Sequence, residues 1–254
     1  PHARGATDAG ALATFQDLEA KFAAQGVIFF LMNPGIQTDR DSISADIATL
    51  GVDYPVLMDD AQLATEALGI TRLDEAVVYD PTSFELIYRG PVDAGLEASV
   101  QRLLEGSDDS LVSIKTDGAL IAYTGPGSES IPSYVTDVAP IIQENCATCH
   151  REGGIAPFAM DSKLALQGWS PMIREVVMTK RMPPGQIDNK VSHLMRNEMN
   201  LSDGEMQTLV RWVNAGSPVD GEIDPLVGIE WPDTKWVISE ELGAPDLIVK
   251  IPPQ

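Results

Sequence analysis

"IIQENCATCHREGG", residues 141–154, holds both cysteines of a 254-residue chain, Cys146 and Cys149, with His150 directly after them. Three chemistries could use this stretch. A dithiol switch needs two thiols at C-x-x-C spacing, but its oxidoreductase form sits in a strand-to-helix turn of a βαβ unit. The sequence on either side of Cys146 reads as helical instead. A structural zinc site needs four ligands, usually in two separated pairs. Two cysteines and three histidines (His2, His150 and His193) could assemble at best a poor one. The third chemistry uses all three residues. In C-x-x-C-H, two thioether bonds fix the haem vinyl groups, and the adjacent histidine swings under the ring as proximal ligand. Cys146 and Cys149 are therefore expected to attach one haem c, with His150 on its iron.

A haem c needs a sixth ligand or an open face. Met182, in "KRMPPG", stands just after a helical pattern and just before two prolines, which stiffen the chain and fix the thioether on a loop. His193, on the same connecting stretch, is the rival. Met160, Met172, Met178, Met195, Met199 and Met206 read as core filler or surface. Methionine with histidine favours the reduced haem and raises the potential, whereas two histidines would lower it.

Around the motif, the second half is helical. "VTDVAPIIQENCATCH" is one helical stretch, and "SPMIREVVMTKRM" is a helix begun by Ser170-Pro171. "LSDGEMQTLVRWVNAG" is another, with Ser202 as cap, Glu205 completing a capping box and Gly216 as its stop. The first half alternates strand-like and helix-like segments. "ALATFQDLEAKFAAQG" has apolar residues at helical spacing, and "VIFFLMN" is a continuous apolar run that fits a buried parallel strand. "EAVVYDP" and "FELIYRG" make a hairpin around Pro81-Thr82-Ser83. The order α-β-α-β-α-β-β-α predicts an α/β sandwich with a mixed sheet. "TGPGSESIP", residues 124–132, is Gly-, Ser- and Pro-rich and reads as a linker.

Composition bounds the partners. The net charge of −21 is shared: residues 1–125 carry seven basic and twenty acidic side chains, and the remainder ten and eighteen. Such a surface repels nucleic acid and anionic lipid. Between Lys163 and Arg196 the balance reverses, with six basic residues against two acidic. The longest apolar run, Val27 to Met32, is too short to span a bilayer. No signal peptide is visible, and the chain opens on Pro1 rather than Met, which leaves room for a leader ahead of it.

Residues 1–122 resemble the peroxiredoxin-like branch of the thioredoxin superfamily, through "PHARGA", "FAAQGVIFFLMN", "YPVLMDDAQLATEALGITR" and "VVYDPTSFELIYRGPVD". That family places a reactive cysteine just before the "P-x-x-R" turn, which would fall ahead of Pro1. Related domains carry a second cysteine near "GALIAY", where this chain has Ala119, and a cis-proline before the third strand, where "ITRLDEAVVYD" has none. The resemblance thus implies the fold without the thiol chemistry. The Cys149-to-Met182 spacing, the "MPP" turn and the Trp212-bearing helix resemble small single-haem cytochrome c domains. In those, the last helix packs across the first. A backbone carbonyl on the proximal side, here within "GGIAPF" (153–158), accepts the ligand histidine's N–H, and Ile155 and Pro157 would cover the ring edge.

The expected organisation is a thioredoxin/peroxiredoxin-like α/β domain at 1–123, a linker at 124–132, a small all-α cytochrome c domain at 133–220 and an extended tail at 221–254. The tail either leads to a further module or packs on the first two. This pairing, with the "LGAPDL" tail, resembles the N-terminal part of exported bacterial copper type II, ascorbate-dependent monooxygenase-like proteins. The resemblance implies an electron-transfer protein with no catalytic activity of its own. It would be periplasmic or extracellular, and its partner a redox protein or an adjacent copper monooxygenase module. Two alternatives stay open: a thiol peroxidase or disulfide reductase coupled to a haem, and a subunit of a larger cytochrome assembly.

Overall fold

A computed structural model describes residues 9–35, 39–51, 54–107, 110–123, 130–187, 191, 194–195, 199–231 and 242–249. The chain is a mixed α/β protein. In the first half, α1 (Ala9–Phe22) runs into a 3-10 turn and stops at Gly26, whose φ of +91° places it in the left-handed region that glycine tolerates. Then come β1 (Leu31–Asn33), α2 (Arg40–Leu50), β2 (Val56–Met58), α3 (Leu63–Ala67), β3 (Ala76–Asp80), β4 (Glu85–Gly90), α4 (Ala94–Leu104) and β5 (Val112–Ser113). Asp39 and Asp93 cap α2 and α4 by accepting backbone N–H groups of the first turn.

Strands β1 and β2 pair in parallel, with Met32 opposite Leu57. Strands β3 and β4 form the expected antiparallel hairpin, and β5 joins β4 in parallel. Among the described residues the mixed sheet is thus two short ladders, of two and three strands. The "VIFFLMN" run departs from the expected buried strand. It pairs over Leu31–Asn33 alone, and its residues alternate: Val27 and Phe29 pack on the Leu18–Phe22–Tyr88 core, while Ile28 is 81% exposed. Period-two alternation in an extended chain sends successive side chains to opposite faces, whatever their polarity.

In the second half every described helix or strand is helical. A π-helical turn at Tyr134–Val138 leads into α5 (Ala139–Asn145), followed by α6 (Lys163–Met178) and α7 (Asp203–Asn214). Helix α7 starts with the expected capping box between Ser202 and Glu205. Helix α6 corrects the sequence reading: it starts at Lys163, capped by Ser162, and Pro171 lies inside it. Pro171 has no N–H for the carbonyl of Gln167, and the Ser170 hydroxyl donates to that carbonyl instead, at 2.9 Å. The Ser-Pro pair that resembles a helix start is here a repaired helix interior.

The helices close around Trp212, Leu166, Ile142 and Leu209, all but inaccessible to solvent. Ala61 and Leu63 from the first half belong to the same core. The Gln207 side chain donates to the Ala61 carbonyl at 2.8 Å, and Arg211 pairs with Glu66 at 3.1 Å. Packing therefore crosses the expected domain boundary, while residues 124–129 of the expected linker lie outside the described residues. The start of the expected tail is built into the helical half. Just ahead of the tail, Trp212 donates its indole N–H to the Pro218 carbonyl at 2.7 Å, and within the tail Leu226 is 1% exposed. Between them, Asp224 accepts from the Tyr134 hydroxyl and from the Lys163 and Leu226 N–H groups.

Candidate functional site

Helix α5 delivers the Cys-Ala-Thr-Cys-His turn. It ends at Cys146, after which the chain tightens: Cys149 N–H and His150 N–H both donate to the Cys146 carbonyl, at 3.1 and 2.9 Å. Ala147 is 2% exposed and pins the turn against the core. A larger side chain at that point would meet close packing. The turn is also tied to α7, since Asn145 Nδ2 donates to Glu205 Oε1 at 3.1 Å.

The segment after His150 folds back over it. Ala156 N–H donates to the Cys149 carbonyl at 3.1 Å, and Met160 N–H to the His150 carbonyl at 2.8 Å. The fold-back requires glycine: a Cβ on Gly154 would lie 2.4 Å from the Cys149 oxygen. His150 ends 8% exposed, with Nδ1 3.1 Å from the Phe158 carbonyl oxygen. A carbonyl can only accept, so this contact places the proton on Nδ1 and leaves the Nε2 lone pair free to bind a metal. Phe158 packs its ring on His150 at 4.6 Å between centroids, and Trp169 of α6 stacks on Phe158 at 4.1 Å and 17°. Ile155, expected to cover a ring edge, is 90% exposed, and Pro157 is exposed as well.

Met182 lies just beyond α6. The Arg181 and Met182 N–H groups both donate to the Val176 carbonyl, at 2.8 and 3.2 Å, and Pro183 is buried behind them. The Met182–Pro183 bond is cis, and the Met182 side chain is 41% exposed. His193, the rival ligand, lies outside the described residues, as does His2. Asn200 bonds both the N–H and the carbonyl of Ile187, at 2.9 and 2.6 Å, so the connecting stretch is clamped at its two ends.

One face of α6 links the two places. Ala165, Trp169, Met172 and Val176 follow one another at i, i+4, i+7 and i+11, a single stripe beside the buried face of Leu166, Ser170, Ile173 and Val177. At ~1.5 Å rise per residue the stripe is roughly 16 Å long. It holds large apolar side chains that the core leaves uncovered: Trp169 is 39% exposed and Met172 45%. Trp169 reaches Phe158 and hence His150, while the Val176 carbonyl holds Met182. The stripe is thus an apolar strip that touches Phe158 through Trp169 and holds the Met182 backbone through the Val176 carbonyl.

The Cys146 thiol is poorly suited to exchange chemistry. Burial first, then the Glu205 carboxylate and Cys149, push the Cys146 thiol up to about 12. A redox nucleophile needs a shift in the other direction. Among the described residues no three His, Cys, Asp or Glu side chains come together as a metal set. In the first half, Ala119 lies beside the bridge of Arg72 to Leu120, with no thiol near it among the described residues.

Sequence reasoning singled out Cys146, Cys149, His150 and Met182, and it passed over Trp169, Glu205 as a tie to Asn145, and Asp224. Trp169 carried a signal in the stripe at i+4 and i+7; Asp224 carried none, because its partners are 61 and 90 residues away. No protein-family model matches the chain, and neither a curated protein nor a solved structure matches it.

Proposed function

We propose that this chain is an electron-transfer protein carrying one covalently attached haem c. Cys146 and Cys149 would hold it through thioethers, His150 would be the proximal ligand and Met182 the distal one. The observation that carries the reading is the His150 environment: a buried imidazole with Nδ1–H given to a backbone carbonyl and Nε2 free, in the turn that carries both thiols. The uncovered apolar stripe of α6 fits the group as a wall for a flat macrocycle. When bound, the haem supplies a one-electron couple. The chain's own residues orient the imidazole through Phe158, present the Met182 thioether from a turn tied to Val176, and exclude water along the stripe.

Residues 1–123 would serve as a thioredoxin-like docking domain without redox activity, and residues 133–220 as the cytochrome c domain. The α/β order supports the former. The helical second half, with α7 tied to the haem-motif turn, supports the latter. Lys180 is exposed and sits in the less acidic stretch, which suits it to the rim that meets an acidic redox partner or an adjacent copper monooxygenase module. Haem attachment outside the cytoplasm would place the protein in the periplasm or beyond.

Optical spectra of the purified protein, oxidised and reduced, with and without carbon monoxide, test this reading. Sharp reduced bands, a weak far-red methionine-to-ferric band and indifference to carbon monoxide are expected. Carbon monoxide binding would replace electron transfer with ligand sensing or catalysis, and a protein that never carries haem would refute the proposal.

A further inference from the structure

Trp169 belongs to no motif in the sequence, yet it stands at the end of a three-ring series. Its indole stacks on Phe158 at 4.1 Å and 17°, and Phe158 packs on His150 at 4.6 Å. Phe158 is also the residue whose carbonyl takes the His150 Nδ1 proton, at 3.1 Å. The Phe158 side chain and carbonyl belong to one residue of a segment without regular secondary structure. The indole on its ring therefore restrains the position of the carbonyl as well. Trp169 itself sits on α6, the element with the firmest footing nearby, through Leu166, Ser170 and Ile173.

We propose that Trp169 is a positioning residue for His150: through Phe158 it fixes the acceptor of the imidazole proton and so sets the potential of the iron that His150 ligates. This rests on the haem reading above. The physics gives the effect a sign. A carbonyl that accepts Nδ1–H makes the imidazole a stronger donor to the metal, which favours the ferric form and lowers the potential. Loosening that bond raises the potential. Mere loss of an aromatic cover would admit water, favour the more charged ferric form and lower the potential. The two roles shift the potential in opposite directions.

The test compares haem-loaded wild type with Trp169→Leu and Trp169→Phe by redox titration, together with hydrogen exchange of the His150 Nδ1 proton in the reduced protein. Trp169→Leu is expected to raise the midpoint potential and to speed exchange roughly fivefold or more, the change that follows loss of one ordinary hydrogen bond. Trp169→Phe keeps a ring on Phe158 and should stay close to wild type in both. If the leucine variant does not fold, Trp169→Met carries the same expectation. A potential that falls or stays constant with unchanged exchange overturns the inference, leaving Trp169 as cover alone. A wild-type protein without haem overturns both this inference and the reading beneath it, so the two failures are distinguishable.

Discussion

His150 Nδ1 and the Phe158 carbonyl oxygen lie 3.1 Å apart, and the bond between them decides what the histidine can do. With its Nδ1 proton committed to a carbonyl inside the chain, the buried ring has only Nε2 with which it could ligate a metal. An ordinary solvent-facing histidine would be free to take either tautomer. The short span between the residues, eight positions, is closed by a fold-back that a side chain at Gly154 would block.

Gly154→Ala is accordingly expected to destabilise the protein by about 1–3 kcal/mol. Its Cβ would sit 2.4 Å from the Cys149 oxygen, which already accepts the Ala156 N–H. Gly153→Ala, with open space around its Cβ but a φ of +70°, should cost ~1–2 kcal/mol through backbone strain alone. Chemical denaturation of both variants, with the haem-to-protein ratio measured beside it, checks the expectation. The ratio should fall for Gly154→Ala and hold for Gly153→Ala.

Met182→Ala is expected to abolish the far-red methionine-to-ferric band and to make the reduced protein bind carbon monoxide. Met182→His should keep carbon monoxide out while lowering the potential. If Met182→Ala leaves the spectrum unchanged, the sixth ligand is another residue, with His193 first in line.

Asp224 ties three segments together by accepting from the Tyr134 hydroxyl at 2.5 Å and from the Lys163 and Leu226 N–H groups. Burial opposes its ionisation, but these hydrogen bonds outweigh it and hold the carboxyl below its ordinary value. A carboxyl with a lowered folded pKa stabilises the fold above its unfolded pKa of ~3.9, and that stabilisation is lost as pH falls through the folded value. Asp224→Asn should therefore be less stable than wild type at neutral pH, by ~1–3 kcal/mol. The gap should be flat above about pH 5 and narrow below about pH 4. Urea titrations across that range would show it; a gap that widens in acid would contradict the assignment.

Arg211 and Glu66 join α7 to the first half at 3.1 Å, with the arginine side chain 8% exposed and the glutamate 39%. Removing the charge from Glu66 leaves a buried guanidinium with less compensation, since its Nη1 and Nη2 have no hydrogen-bond partner among the described residues. Glu66→Gln should cost ~1–3 kcal/mol, reduced from the fully buried case by the exposure of Glu66. Arg211→Met, which removes the buried charge itself, should cost less than Glu66→Gln. The order of the two unfolding midpoints decides.

What could be read from the sequence followed from how local each signal is. The α7 capping box lies within four residues, Ser202 to Glu205, and was legible in full. The C-x-x-C-H spacing was legible because its three groups are adjacent, but the turn was not: "VTDVAPIIQENCATCH" reads as one helical stretch, and the chain leaves α5 at Cys146. Helix α6 was misjudged at its start because Ser170-Pro171 has the composition of a cap. The structure uses it as an interior repair, with Ser170 serving the carbonyl that Pro171 cannot. The crossing of the core into the first half was not legible, since Ala61 and Gln207 are 146 residues apart and neither carries a pattern that points to the other. The place of Trp169 in the α6 stripe carried a spacing signal, but its stacking on Phe158 did not, because contact between a helix and a loop leaves no spacing rule behind.

The central claim is covalent haem at Cys146 and Cys149. The most direct measurement is the intact mass of the protein under denaturing conditions, after expression with a cytochrome c maturation system, followed by the mass of the peptide containing residues 146–150. The account predicts one haem per chain that survives acid and organic solvent, carried on that peptide, and lost from covalent attachment when Cys146 and Cys149 are both replaced by serine. An unmodified mass from cells that mature other c-type cytochromes would contradict it.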